Sequence, residues 1–281
     1  MRRIAIALVV SVLAGSLLTV PLRASADVSV GVSVAIGPPP LPYYPQPFCP
    51  GPGYIWTPGY WGYGPDGYYW VPGTWVFAPR VGFLWTPGYW GWNAGFYVWH
   101  PGYWGPHVGF YGGIVYGFGY TGIGYAGGYW RGNDFYYNRS ITNVNVTYVH
   151  NTYNQAVVAD ANVPRVSYNG GQGGIAARPT PQEESYSHEQ HVAATANQVK
   201  HEQTAMSNPG QRFSANQGKP AVAATVKPGK FDAPDAVRRN EAMDRYEYKP
   251  APRNAAGPRE HAPRPPQPHP RNEARRRPPR R

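Results

Sequence analysis

Tryptophan, proline and glycine recur at fixed intervals through one part of the chain and dominate its predicted secondary structure. The pattern Trp-x-Pro-Gly-x-Trp occurs four times, with first tryptophans 14, 15 and 14 residues apart, at residues 56–61, 70–75, 85–90 and 99–104. Short aromatic runs between Pro-Gly steps are typical of short strands joined by turns. Residues 53–105 therefore predict a mainly β fold, an antiparallel meander of short aromatic-rich repeat strands.

The Pro-Gly step inside each motif is compatible with two strand geometries. In the first, it closes a type II hairpin turn in which glycine accepts a positive φ, so that Trp56 and Trp61 oppose each other. In the second, the step is a bulge within one longer strand, which returns both tryptophans to one face. The sequence leaves both geometries open. Turn signals also lie between the motifs, at residues 64–67, 78–80 and 93–95.

The chain on either side of the repeats divides by composition. Alternating valines predict a strand over residues 27–37, and a Pro-rich linker completes the segment 27–52. Residues 106–177 form a Gly/Tyr-rich and then Asn/Val-rich β extension, loosely ordered over 106–130 and strand-like over 135–158.

One or two surface helices are predicted in residues 178–248. The capping box that begins at Thr180 starts a helix that helix-forming residues extend to about Met206, where Asn208-Pro209-Gly210 ends it. A shorter helix is predicted from Pro234 to about Tyr246.

The two ends of the chain differ from its body. Arg2 and Arg3 precede an uncharged run over residues 4–20, and Ala24-Ser25-Ala26 matches a cleavage site, so residues 1–26 predict a signal peptide. The net charge of +11 comes from both ends, because residues 24–248 carry no net charge. Residues 249–281 hold ten Lys and Arg against two Glu, and this Pro/Arg-rich tail is predicted to be disordered.

No combination of residues indicates catalysis or a cofactor. The single cysteine, Cys49, has no base partner in the sequence and no second cysteine for an internal disulfide. The strongest metal-ligand candidate is Glu184, His188 and His191, which would share one face of the first helix. Nucleic acid is not an expected partner, because Arg80 is the only Lys or Arg in the repeats and the chain is predicted to be exported.

The repeat tryptophans have two interpretations. They are either the core of a small β array or, in part, an exposed aromatic surface that binds a ligand. The surface would consist of the eight motif tryptophans: Trp56, Trp61, Trp70, Trp75, Trp85, Trp90, Trp99 and Trp104.

These motifs resemble the WXXGXW repeat, also written YXWGXW, of bacterial exported proteins, including those labelled BcpO-related. The resemblance covers residues 54–104, with Phe83 in place of a leading tyrosine and Thr74 in place of a larger residue. It implies a cell-envelope or secreted protein and no particular activity.

The expected function is that of a non-enzymatic protein of the periplasm, the outer membrane surface or the medium. Its repeats would form a binding or assembly surface for an envelope polysaccharide or an envelope protein, with peripheral outer-membrane association through the basic tail. The alternative is a periplasmic metal-binding or stress-related module built on Glu184, His188 and His191.

Overall fold

The computed structural model describes residues 32–157 and 165–239. The predicted signal peptide, the predicted tail and residues 240–246 of the second predicted helix lie outside these ranges. The strands are β1 (Ser33–Val34), β2 (Tyr54–Thr57), β3 (Tyr60–Gly64), β4 (Gly67–Val71), β5 (Gly73–Phe77), β6 (Leu84–Thr86), β7 (Tyr89–Asn93), β8 (Phe96–His100), β9 (Tyr103–Gly105), β10 (Gly128–Arg131), β11 (Asp134–Asn138), β12 (Thr152–Tyr153), β13 (Tyr168–Asn169), β14 (Val222–Thr225) and β15 (Val237–Arg238). The helices are α1 (Pro181–Tyr186), α2 (Ala196–Ser207) and α3 (Phe213–Asn216), with a 3₁₀ turn at Pro209–Gln211.

The four motifs form two long hairpins rather than four short ones. In the first hairpin (residues 54–77), β3 pairs with β4 next to the turn, and β2 pairs with β5 farther out. The second hairpin (residues 84–105) repeats this nesting, with β7 on β8 and β6 on β9. Each Pro-Gly step thus interrupts one arm of a long hairpin, which is the second of the two predicted geometries.

The type II turn expected in the first geometry is absent from the motifs. None of the four motif glycines, Gly59, Gly73, Gly88 and Gly102, adopts a positive φ. The turns that reverse the chain lie where the turn signals between the motifs predicted them, at Pro65-Asp66 and Ala94-Gly95.

Short strands from distant parts of the chain extend the hairpins into larger sheets. The second hairpin lies within the order β1-β8-β7-β13, and the first contributes to β15-β14-β5-β2. Strands β13 and β14 join in parallel, whereas all pairs within the hairpins are antiparallel. A separate sheet has the order β10-β11-β12. The prediction of a mainly β fold is confirmed.

The glycine-rich segment 106–130 belongs to the core, so the prediction of loose order there was wrong. Tyr111, Tyr116 and Tyr120 are buried between the hairpins, together with Ile114. Six glycines with positive φ, at positions 112, 113, 117, 119, 122 and 124, let this segment fold back on itself tightly enough to place those rings inward.

The predicted strand over residues 135–158 is only partly present. Between β11 and β12 the chain forms turns, because asparagine side chains bind backbone groups locally: Asn138 Oδ1 accepts from the N–H of Ser140, and Asn145 Oδ1 accepts from the N–H of Thr147. Such local bonds compete with the strand ladder.

The predicted helix from Thr180 begins correctly but ends early. The capping box between Thr180 and Glu183 is present, yet α1 stops at Tyr186 and a new helix, α2, starts after a second capping box at Thr195. Between them, Val192 forms an antiparallel bridge with Trp104. The end at Asn208-Pro209-Gly210 is confirmed.

The second predicted helix was wrong for residues 234–239. Val237 and Arg238 form β15 instead, paired with β14. Within the described part of the chain, the helices are all too short or too polar to cross a lipid bilayer.

Candidate functional site

The motif tryptophans are core residues, which corrects their assignment as an exposed ligand-binding surface. Seven of them are at most 7% exposed, and Trp99 is half-buried. They meet as cross-strand pairs, Trp56–Trp75, Trp61–Trp70, Trp85–Trp104 and Trp90–Trp99, with ring centroids 5.1–5.3 Å apart. The nested pairing turns all eight rings inward, because each long arm presents both of its tryptophans to the same side.

The motif glycines are explained by close contact between the two arms. An added Cβ on Gly59 would lie 2.8 Å from the nitrogen of Gly73 and would also collide with the Trp70 ring. The second hairpin has the same arrangement, in which a Cβ on Gly88 would lie 2.8 Å from the nitrogen of Gly102. The indole of one arm fills the space above the glycine of the other arm, so the motif is a packing unit.

Hydrogen bonds from the indole N–H groups tie the hairpins to the rest of the chain. Trp75 donates to the carbonyl of Pro47 at 3.0 Å, and Trp70 donates to that of Ala223 at 3.0 Å. Trp90 donates to the carbonyl of Trp61 at 2.8 Å and so links the second hairpin to the first. Most buried N–H groups have such a partner, although the buried indole N–H of Trp56 has none among the described residues.

The closed ends of the hairpins carry a group of aromatic rings, some exposed and some buried, here called the hairpin-tip ridge: Tyr63, Tyr68, Trp92, Phe96 and Tyr97. Tyr63 packs on Tyr68 at 4.9 Å between centroids, and Trp92 packs on Tyr97 at 4.7 Å. The chain at residues 36–37 joins the two pairs, because Tyr68 donates to the carbonyl at position 36 and position 37 abuts the Tyr97 ring.

Three rings of the ridge remain open to solvent: Tyr63 is 38% exposed, Trp92 41% and Phe96 50%. The Trp92 ring lies close to Gly171, since an added Cβ on Gly171 would be 3.1 Å from the ring. Trp92 was not among the residues predicted from the motifs to bind a ligand. It is one of only two tryptophans outside the motif, and that exclusion was the available signal.

A second feature is a cleft of about 90 Å³ between the two hairpins, where the four Pro-Gly steps converge. Its walls include Tyr60 of the first hairpin and Trp99 of the second, whose rings stack at 5.0 Å with 18° between their planes. Helix α2 closes one side with His201 and Glu202. Nothing in the motif spacing indicated that this helix packs there.

His201 is a structural residue of the cleft wall. Its Nδ1 accepts from the N–H of Gly229 at 2.8 Å, which leaves Nε2 to donate to the carbonyl of Pro72 at 2.8 Å. Burial lowers the pKa of His201 to about 4, only partly opposed by the bond to Pro72. Both ring nitrogens are therefore occupied in a neutral imidazole.

Glu202 is the acidic group of the cleft. Its Oε1 accepts from the hydroxyl of Tyr69 at 3.2 Å. Burial raises the pKa of the Glu202 carboxyl, while hydrogen bonds from Tyr69 and Tyr60 oppose part of that rise. Burial and the adjacent carboxylate in turn raise the pKa of Tyr60.

The predicted metal site at Glu184, His188 and His191 is not formed. Because α1 ends at Tyr186, the two histidines lie beyond the helix; His191 stacks on Tyr103 at 3.8 Å between centroids. Over residues 32–157 and 165–239, no three His, Cys, Asp or Glu side chains are grouped so as to hold a metal ion.

Cys49 is buried and unpaired, and its thiol donates to the carbonyl of Gly51 at 3.0 Å. Burial raises the pKa of this thiol to about 11, which keeps it protonated and unreactive near neutral pH.

Comparison with known proteins agrees with the hairpin architecture. No curated protein and no solved structure matches the chain. A family model for the WXXGXW repeat matches two segments, residues 51–76 and 80–104. Each matched segment contains two motifs and all but the last residue of one hairpin, so the unit of repetition is the hairpin. The chain therefore carries two copies of the WXXGXW repeat, one in each hairpin.

Proposed function

We propose that this protein is an exported, non-enzymatic component of the cell envelope that binds polysaccharide through the hairpin-tip ridge. The observation that carries the proposal is the presence of three exposed aromatic rings, Tyr63, Trp92 and Phe96, at the closed ends of the hairpins, two of which pack on buried tyrosines. The eight motif tryptophans serve as the rigid support of this surface and make no contact with the ligand.

The chemistry of the ridge favours a neutral sugar chain. Its five side chains carry no charge at neutral pH, and its open ring faces match the apolar C–H faces of pyranose rings. Contacts with Gly171 and with the Tyr97 ring restrict the Trp92 side chain before binding, which lowers the entropy cost of binding. Exposed apolar patches of this kind commonly mark interaction sites.

Export and envelope attachment rest on sequence outside the described residues. Residues 1–26 have the features of a signal peptide, and the Arg-rich segment 249–281 would associate with anionic envelope surfaces. Fractionation of the native cell, with a high-salt wash, tests this part separately. Recovery of the protein in the cytoplasm contradicts it.

Titration of the mature chain with soluble neutral β-glucan oligosaccharides, followed by calorimetry and tryptophan emission, tests ligand binding. We expect Trp92→Ala to weaken binding at least about tenfold, the equivalent of about 1.4 kcal/mol. Phe77→Ala is the matched control, because Phe77 is also a half-exposed aromatic residue but lies at the open end of the first hairpin.

Two results would count against this assignment. Equal weakening by Trp92→Ala and Phe77→Ala would remove the ridge as the binding site. Heat from purified outer-membrane protein, with none from neutral glycans, would instead indicate an envelope protein as the partner.

A further inference from the structure

The cleft between the hairpins contains the carboxylate of Glu202, for which the described residues supply no cationic partner. The ion pairs within the described residues are His107–Glu189 and Arg212–Asp66, and Glu202 takes part in neither. Its known partners are the tyrosine hydroxyls of Tyr69 and Tyr60, which compensate only part of the cost of burying the charge.

The surroundings of Glu202 are apolar and aromatic. The stacked rings of Tyr60 and Trp99 line the cleft together with the four motif prolines. Two other polar side chains of the lining are already engaged: both nitrogens of His201 have partners, and Gln198 Oε1 accepts from the indole of Trp104 at 2.8 Å. A ligand in the cleft would therefore contact mainly the Glu202 carboxylate and the aromatic rings.

The size of the cleft limits what enters it. Its volume of about 90 Å³ is well below the roughly 300–1,000 Å³ of sites that enclose a whole small molecule. It accommodates the head group of a longer ligand, whose remainder would leave through the open side near Pro101, the exposed proline of the four.

We propose that this cleft binds the guanidinium group of an arginine side chain. A guanidinium is planar, stacks on aromatic rings, is weakly hydrated and donates in-plane hydrogen bonds to a carboxylate. A lysine ammonium is more strongly hydrated and loses more on entering apolar walls. The cleft and the hairpin-tip ridge share no residues, so arginine binding can be tested independently of polysaccharide binding.

Calorimetry on the full mature chain at pH 7 tests the proposal with Nα-acetyl-arginine methylamide as the probe. We expect binding that Glu202→Gln weakens at least tenfold. The corresponding citrulline amide, which has the same shape without the charge, should give no measurable heat, and the lysine amide should bind several-fold more weakly. Asp66→Asn is the control, because Asp66 is a surface carboxylate already paired with Arg212.

The citrulline probe uses the unmodified protein, so it decides the matter even if Glu202→Gln does not fold. Equal heat from citrulline and arginine amides would overturn the proposal, as would equal heat from the lysine amide. Undiminished binding to Glu202→Gln would place the site elsewhere.

A further comparison identifies the source of the arginine. Residues 249–281 of this chain carry nine arginines, and a full-length variant with all nine replaced by glutamine keeps the cleft intact. Binding of the probe that is severalfold tighter in this variant would identify the chain's own arginines as competitors. Unchanged binding would assign the cleft to a partner's arginine.

Discussion

A methyl group on Gly73 would enter space that the facing arm of the first hairpin already fills. The added Cβ would collide with the Trp56 ring and would lie 3.0 Å from the nitrogen of Gly59. Neither obstacle can move easily, because Trp56 is fully buried and the nitrogen belongs to the backbone of the opposite hairpin arm. At the scale of single residues, glycine is therefore required by packing and not by backbone conformation.

Replacement of Gly73 by alanine should destabilise the protein by about 3 kcal/mol, the upper part of the range for overpacking a core. Gly51→Ala is the control, since nothing lies within 4 Å of a Cβ at Gly51 and its φ is not positive. That control should change stability by less than about 1 kcal/mol. Urea denaturation measures both, and similar midpoints for the two variants would contradict the packing argument.

The sequence identified the important residues of the motif but assigned some of them the wrong role. Regular Trp-x-Pro-Gly-x-Trp spacing showed that glycine and tryptophan matter, and it predicted turns between the motifs correctly. Burial of the tryptophans depends on which strand faces which, and that is a tertiary property. The same spacing allows Trp56 to face Trp61 or Trp75, and only packing of the whole core selects Trp75.

Among whole elements, the segment between α1 and α2 shows where local sequence signals fail. Polar helix-forming residues predicted one helix from Thr180 to Met206, yet the chain leaves the helix after Tyr186. Val192 instead pairs with Trp104, and the rings of His107 and Tyr186 stack at 4.3 Å. These contacts with distant residues outweigh helix propensity, which contributes only tenths of a kcal/mol per residue.

Helix α2 restarts at Thr195, whose side chain caps it in a box with Gln198. Thr195→Ala should cost about 1 kcal/mol, the usual value for a lost N-cap. Because Gln198 also accepts from the Trp104 indole, the variant should shift tryptophan emission to longer wavelength. Thr204→Ala is the matched control: Thr204 lies within α2 and bonds only its own helix, at the carbonyl of Lys200. Equal effects from the two variants would argue against the capping role.

At the scale of the whole molecule, the two repeat copies form one core. The hydroxyl of Tyr120 lies 3.3 Å from the carbonyl of Trp56 and 2.9 Å from that of Trp85, so one side chain bridges corresponding positions of both hairpins. The stack of Tyr60 on Trp99 and the bond from Trp90 to Trp61 add further links. No local pattern in the sequence predicts these contacts, because each joins residues 29–64 positions apart.

Because the core is shared, the charge state of one buried group on α2 should affect the stability of the entire fold. His201 is neutral when folded, with a pKa of about 4 against an ordinary value near 6.5. Below pH 6.5 the His201 imidazole of the unfolded chain therefore binds a proton, whereas that of the folded chain stays neutral until the pH nears 4. Stability present at pH 7 should fall by about 3 kcal/mol as the pH drops through 6.5 towards 4.

Glu202 acts in the opposite direction, since its pKa is raised in the folded state. Its contribution to stability is fully present at low pH and is lost as the pH rises through the raised pKa, so it offsets part of the acid effect of His201.

The effects of His201 and Glu202 are separated by urea denaturation between pH 7 and pH 4, applied to the unmodified chain, His201→Gln and Glu202→Gln. His201→Gln should flatten the loss of stability on acidification, and Glu202→Gln should steepen it. The exposed His107, replaced by glutamine, serves as the control and should leave most of the slope intact. An unchanged slope in His201→Gln would show that the buried imidazole is not what makes the fold sensitive to acid.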